Sequence, residues 1–213
     1  MPVYSESLTL AQAKQFSHCD TASINAFPLH AQFNIKATEC VEEGLFIVNS
    51  MVLGWWPQHC NDICRLLWED LGNWHSVLRK RACMYGILRN GTDDEMCDGH
   101  TTNLAHHTLS SLVIDFFYTG PSSVVQLFPK VFKEEVLRVT VAISATALKI
   151  VLDKMALSTK SEVSFRVTTY TPVYLEMLRL MKKCDMSLIH AVKIKLLQVE
   201  WAKIGWQAIT FRK

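Results

Sequence analysis

The stretch Val131–Leu157 (VFKEEVLRVTVAISATALKIVLDKMAL) constrains this chain more than any other. Wound at about 100° per residue, its Val, Leu and Ile side chains spread over most of a helix circumference. Only Glu135, Arg138, Ala142, Lys149 and Asp153 are left on a narrow stripe. Two pairs on that stripe, Glu135–Arg138 and Lys149–Asp153, have the spacing and sign of helix-face ion pairs. A helix apolar nearly all round either crosses a membrane or lies buried among other helices. The uncharged run Val139–Leu148 is far shorter than the roughly 20 residues that a crossing needs. The expectation is therefore a mainly α fold: a single globular helical domain packed around a buried central helix at about 131–157. Unbroken, that helix would be about 40 Å long. A split into two helices or a partly extended segment is the alternative, since Val, Ile and Thr also suit strands.

The chain's 213 residues suffice for one good core or two small ones. A hydrophobic content of 49% with few Gly and Pro excludes a disordered chain. Residues after Met1 are polar and mixed, so no secretory signal and no transmembrane helix is expected. The seven cysteines are odd in number and scattered, which predicts free thiols in a reducing, intracellular compartment, cytoplasm or nucleus. Charge is uneven. Residues 1–120 hold 7 Lys and Arg against 13 Asp and Glu, and residues 121–213 hold 15 against 7. This points first to attraction between opposite surfaces, and second to a basic face for a polyanion.

Residues 1–60 form a weakly patterned N-terminal segment. Leu8–Phe16 suits a short helix, Asn25–His30 a loop, and 31–50 fits helix or strand. Gly44–Asn61 reads as a buried segment that ends in a turn at Trp55-Trp56-Pro57. Residues 61–213 form the helical domain. An amphipathic helix over Asn61–Leu88 carries Ile63, Leu66, Leu67, Leu71, Trp74, Val77 and Leu78 inward, with Asn61 or Asp62 as its cap and Arg79-Lys80-Arg81 on a solvated face. Residues 89–103 are turn chemistry and serve as a hinge. Leu104–Tyr118 is the next helix, stopped by Thr119-Gly120-Pro121. After a connector over 158–169, Thr171-Pro172 opens a helix. Ser187 caps the last one, with Val192, Leu196, Val199 and Ile204 as its apolar positions.

Four constellations carry candidate chemistry. Cys97, His100 and His106, with His107, are ligand types that zinc prefers, but the spacing fits no standard module. His107, Ser111 and Asp115 are triad residue types in the wrong order, because His must stand between the other two. Cys60-x3-Cys64 is not a redox spacing. Lys182, Lys183, Lys193, Lys195 and Lys203, with Arg212, Lys213, Trp201, Trp206 and Phe211, offer charge and stacking surface that a single nucleic-acid strand uses. With no Gly-rich phosphate loop, P-loop chemistry is excluded. No cofactor is implied, and neither are catalytic residues. A non-enzymatic interaction module with a protein partner leads, followed by a nucleic-acid-associated protein, then a metal-dependent enzyme at Cys97, His100 and His106.

The second half resembles a known family. His106, Ile114-Asp115-Phe116-Phe117-Tyr118-Thr119-Gly120, Phe128-Pro129-x-x-Phe132-x-Glu134-Glu135, Ala145-Thr146-Ala147-Leu148, Leu152-Asp153 and Thr169-Tyr170 through Leu178 carry the resemblance. Upstream, Leu67-x-x-Asp70-Leu71-x-x-Trp74 and Arg79-Lys80-Arg81-Ala82 extend it. Together these are similar to the fungal family DUF6532, a domain of unknown function. The resemblance implies a helical globular domain of mushroom-type fungal origin, and it implies no activity. Leu137 stands where many members are expected to carry proline, which lets the central helix start earlier.

Overall fold

A computed structural model describes residues 3–28, 30–48, 55–87, 106–120, 123–156 and 167–211. The described residues are helical, with no strand among them, so the fold is mainly α as expected. The helices are α1 (Val3–Ser23), α2 (His30–Val48), α3 (Trp55–Ile87), α4 (His107–Val113), α5 (Val124–Leu127), α6 (Pro129–Phe132), α7 (Arg138–Ala156), α8 (Val167–Asp185) and α9 (Leu188–Phe211). A π-helical turn, Ile114–Tyr118, continues α4. No described helix is long and apolar enough to cross a membrane. Two compact units emerge, Met1–His75 and Ser76–Lys213, and the boundary falls inside α3.

In the first unit the undecided stretch 31–50 is helical over His30–Val48. The helix expected at Leu8–Phe16 is longer, Val3–Ser23. Small residues let α1 and α2 approach closely: a β-carbon on Gly44 would lie 3.2 Å from the Thr9 carbonyl oxygen and 3.3 Å from the Ala13 nitrogen. The first two-thirds of α3 pack onto this pair. Leu67, Leu71 and Trp74 are buried, whereas Leu66 and Val77, expected inward, are exposed; Trp68 meets Phe33 edge-on at 5.0 Å. Helix α3 begins at Trp55, so Asn61 and Asp62 lie inside it and do not cap it. Pro57 is its third residue, where the missing N–H has no intrahelical partner to lose. The turn expected at Trp55-Trp56-Pro57 is instead the first turn of α3, and the hinge over 89–103 lies outside the described residues.

The second unit is built on the central stretch, with one correction. The helix does not run unbroken from Val131. Short α6 ends at Phe132, residues 133–137 leave the helix, and α7 starts at Arg138. Leu137 therefore does not advance the start; its carbonyl accepts the Val141 N–H at 3.1 Å. The break has a cause in α9. The Val136 N–H donates to the Gln198 carbonyl at 3.0 Å, and the Gln198 side-chain Nε2 donates to the Val136 carbonyl at 2.5 Å. Both residues are buried, and this two-point clip satisfies backbone groups that a continuous helix would have bonded internally.

Helix α7, about 28 Å long, buries Val141, Ala142, Ile143, Ala147, Ile150 and Val151. Ala142 is thus in the core, not on the outer stripe. The buried hydroxyls of Ser144 and Thr146 donate to the carbonyls of Thr140 and Ala142, each at 2.8 Å, so burial leaves their protons paired. Of the two ion pairs read on the outer stripe, Lys149–Asp153 forms. Glu135 and Arg138 do not pair with each other: Glu135 goes to Lys195 of α9, and Arg138 grips Asp185 of α8 with both terminal nitrogens. Helix α8 starts at Val167, so Thr171-Pro172 is not its opening, and Pro172 sits inside it on an exposed position.

Candidate functional site

The residues singled out for chemistry are dispersed or committed elsewhere. Cys97 and His100 lie outside the described residues. His106 is not on the helix but caps it: its Nδ1 accepts the Thr108 N–H at 3.1 Å. Among the described residues no group of His, Cys, Asp and Glu could hold a metal ion. Asp115 is held by Arg81 of α3 at 3.3 Å. His107 is exposed, and its carbonyl accepts the Ser110 hydroxyl. The Cys64 thiol is buried, and that burial, with Cys60 beside it, pushes its pKa up to about 11, which keeps it protonated and inert.

The basic set separates into two parts. Lys182, Lys183, Lys193 and Lys203 are exposed, whereas Lys195 is paired with Glu135. The aromatic residues near them mostly turn inward. Trp201 is buried. The Trp206 Nε1–H donates to the Phe132 carbonyl at 3.3 Å, and its ring meets Tyr118 edge-on. Phe211 alone of the three stands in solvent, at 88% exposure. Arg79, expected on a solvated face, is buried as well.

Helix α9 positions a surface that the sequence pattern did not assign to a side. Its buried face is Ile194, Gln198, Trp201, Ala202, Gly205 and Ile209. Tyr118 selects this face, because its ring packs where a β-carbon on Gly205 would be, and the fit admits only glycine. The apolar positions read from the sequence, Val192, Leu196, Val199 and Ile204, lie outside this face, with Leu196 63% exposed. Ile189 joins them at 68%. Ile189, Val192, Leu196 and Val199 are spaced three, four and three residues apart, so they form one stripe along the helix. Lys193 and Lys195 flank the stripe and Lys203 continues it. A helix apolar on two faces normally buries both; here nothing among the described residues covers the second. The signal was in the sequence: Gln198 and Gly205 interrupt one apolar stripe and mark it as the face that touches backbone and ring, while the other stripe is left uninterrupted.

Against known proteins, the family model Domain of unknown function (DUF6532) matches residues 76–184. No curated protein and no solved structure matches the chain. The matched span takes in the end of α3, the His106 cap, the π-helical turn, all of α7 and nearly all of α8, and stops before α9 begins. It covers just over half of the chain, which belongs to the DUF6532 family.

Proposed function

We propose that this protein is a non-enzymatic helical interaction module, and that the outward stripe of α9 is its docking surface. The carrying observation is the uncovered row Ile189, Val192, Leu196 and Val199. Such a row takes an amphipathic helix laid along it. The exposed Lys193 on its flank and Lys203 at its end select a partner helix with acidic residues beside its own apolar seam, whereas Lys195 is already held by Glu135. The occupant is a helix of another protein, so the free protein is expected to be a monomer. An intracellular setting goes with this reading, since the six cysteines among the described residues are free and Cys19, Cys40 and Cys64 are core residues. The fungal source rests on the resemblance of the second half.

The test uses the full chain and two synthetic amphipathic helices with the same leucine seam, one flanked by glutamates and one by lysines. The glutamate helix binds, the lysine helix does not, and Leu196→Glu abolishes binding without unfolding the protein. Equal binding of both helices, or binding untouched by Leu196→Glu, removes the proposal. So does sedimentation of the free protein as a dimer that Leu196→Glu dissociates.

A second reading, association with nucleic acid, is favoured by the exposed Lys182, Lys183, Lys193 and Lys203. With Trp201 and Trp206 turned inward it would rest on charge, and its affinity would fall steeply with salt. Metal-dependent chemistry at Cys97, His100 and His106 is tested by metal analysis of the purified protein.

A further inference from the structure

Helices α1 and α2 touch at Gly44 and Ala13 but leave a cavity near the turn that joins them. Its volume is about 310 Å³, at the lower end of the size that small-molecule sites have. Phe33, Ala37 and Cys40 form an almost fully buried wall. Ile24 and Ile35 also line it and are 59% and 65% exposed, so the cavity keeps apolar side chains in water.

Three of its polar groups are already engaged. The Thr21 hydroxyl donates to the Ser17 carbonyl at 2.7 Å, and the Asn25 Oδ1 accepts the Phe27 N–H at 3.1 Å. The Lys36 ammonium is paired with Glu39 at 2.5 Å. Asp20 differs. Its carboxylate is half-buried, and its hydrogen-bond donor among the described residues is the Cys40 thiol at 3.9 Å, a weak donor. Burial pushes the Asp20 pKa up, and Lys36 offsets this only in part. The cavity thus holds one desolvated carboxylate, short of a strong donor, in an apolar lining.

We propose that this cavity is a binding site for a small amphipathic amine, with the ammonium on the Asp20 carboxylate and the hydrocarbon body against Phe33 and Ala37. A cation there supplies the charge-assisted hydrogen bonds that Cys40 cannot. An anion is repelled by Asp20, and Lys36 is already held by Glu39. The site is separate from the stripe on α9 and stands or falls without it.

The experiment titrates the full chain by calorimetry with octylamine, octanol and octanoate, three probes with one tail and different heads. Octylamine is expected to bind at least about tenfold more tightly than octanol, the factor that one charge-assisted hydrogen bond supplies, with octanoate weakest. Asp20→Asn removes the preference for the amine and leaves octanol binding in place. Because this variant deletes an ill-paired charge, it keeps its fold, checked by circular dichroism. The Ala37 and Ile35 methyl resonances of the wild-type protein shift with bound octylamine. Any of four results overturns the proposal: no octylamine binding, undiminished amine preference in Asp20→Asn, tighter binding of octanoate, or methyl resonances that stay still.

Discussion

The ring of Tyr118 packs so closely on Gly205 that a β-carbon there would lie 2.4 Å from Cδ1. This contact seats α9 against the π-helical turn and sets which of its two apolar faces goes inward. Tyr118 is fully buried, and its hydroxyl has no hydrogen-bond partner among the described residues, so ring packing, not polar contact, holds the pair. Burial accordingly pushes the phenol pKa above its ordinary value.

Gly205→Ala must displace that ring, and overpacking of this kind costs about 1–3 kcal/mol. Gly72→Ala is the control: a β-carbon there meets nothing within 4 Å, and the helix gains about 1 kcal/mol. Tyr118→Phe leaves stability unchanged or raises it by up to about 1 kcal/mol, because a buried unpaired hydroxyl is lost. Urea denaturation of the three variants measures all of these. A destabilising Tyr118→Phe would mean that the hydroxyl is paired after all.

The clip between Gln198 and Val136 predicts a polar residue that cannot be made apolar. Gln198→Leu keeps the bulk but leaves the buried Val136 carbonyl without its side-chain donor. The expected cost is about 1–3 kcal/mol, read by chemical denaturation. Gln198→Glu is expected to be worse, since a carboxylate would face that carbonyl without a proton to give.

The two faces of α9 respond oppositely to substitution. Leu196→Glu changes stability by less than about 0.5 kcal/mol, as an exposed site does. Trp201→Ala, on the inner face, costs about 3–5 kcal/mol. Thermal melts of the two variants check this, and a Leu196→Glu variant that melts like Trp201→Ala would put the stripe inside the fold.

The comparison of faces also shows what was legible in the sequence. The inward residues of α3, such as Leu67, Leu71 and Leu78, follow from spacing, because the opposite side is charged. The stop at Thr119-Gly120 was equally plain, and Gly120 sits where a β-carbon would lie 2.9 Å from the Phe116 carbonyl oxygen. Two helix starts differ from the sequence pattern: Asn61 and Asp62 have the chemistry of a cap and Thr171-Pro172 that of an opening, but Pro57 and Pro172 are both tolerated within helices that begin earlier. The break at 133–137 depends on Gln198, more than sixty residues away, and no local pattern reports it. In α9 two apolar stripes competed, and periodicity alone does not rank them. The α1–α2 cavity left no signal at all, because Asp20 and Cys40 meet only when two helices cross.

The first unit carries a built-in sensitivity to acid. His75 is buried at 1% exposure, its Nε2 lies 3.0 Å from the Ala26 carbonyl, and its ring stacks on Phe27. Burial pushes its pKa down from 6.5 to about 4, and the bond to Ala26 restores only part of that. The unfolded chain therefore takes up the proton first. Between about pH 6.5 and 4 the unfolded state binds more protons, so stability falls as pH falls, by about 3 kcal/mol across the window. Asp70 adds to the loss at lower pH. Burial alone would raise its pKa, but His18 at 2.9 Å and Lys14 at 3.0 Å outweigh that and hold the carboxyl below its ordinary value. Its contribution is present above the ordinary carboxylate range and disappears as Asp70 protonates. Urea denaturation of wild type and His75→Gln at a series of pH values separates the two. The variant is less stable at pH 7 but loses the slope between pH 6.5 and 4, keeping only the decline that Asp70 contributes further down. A wild-type stability that stays flat from pH 7 to pH 4 would show that His75 can be charged in place.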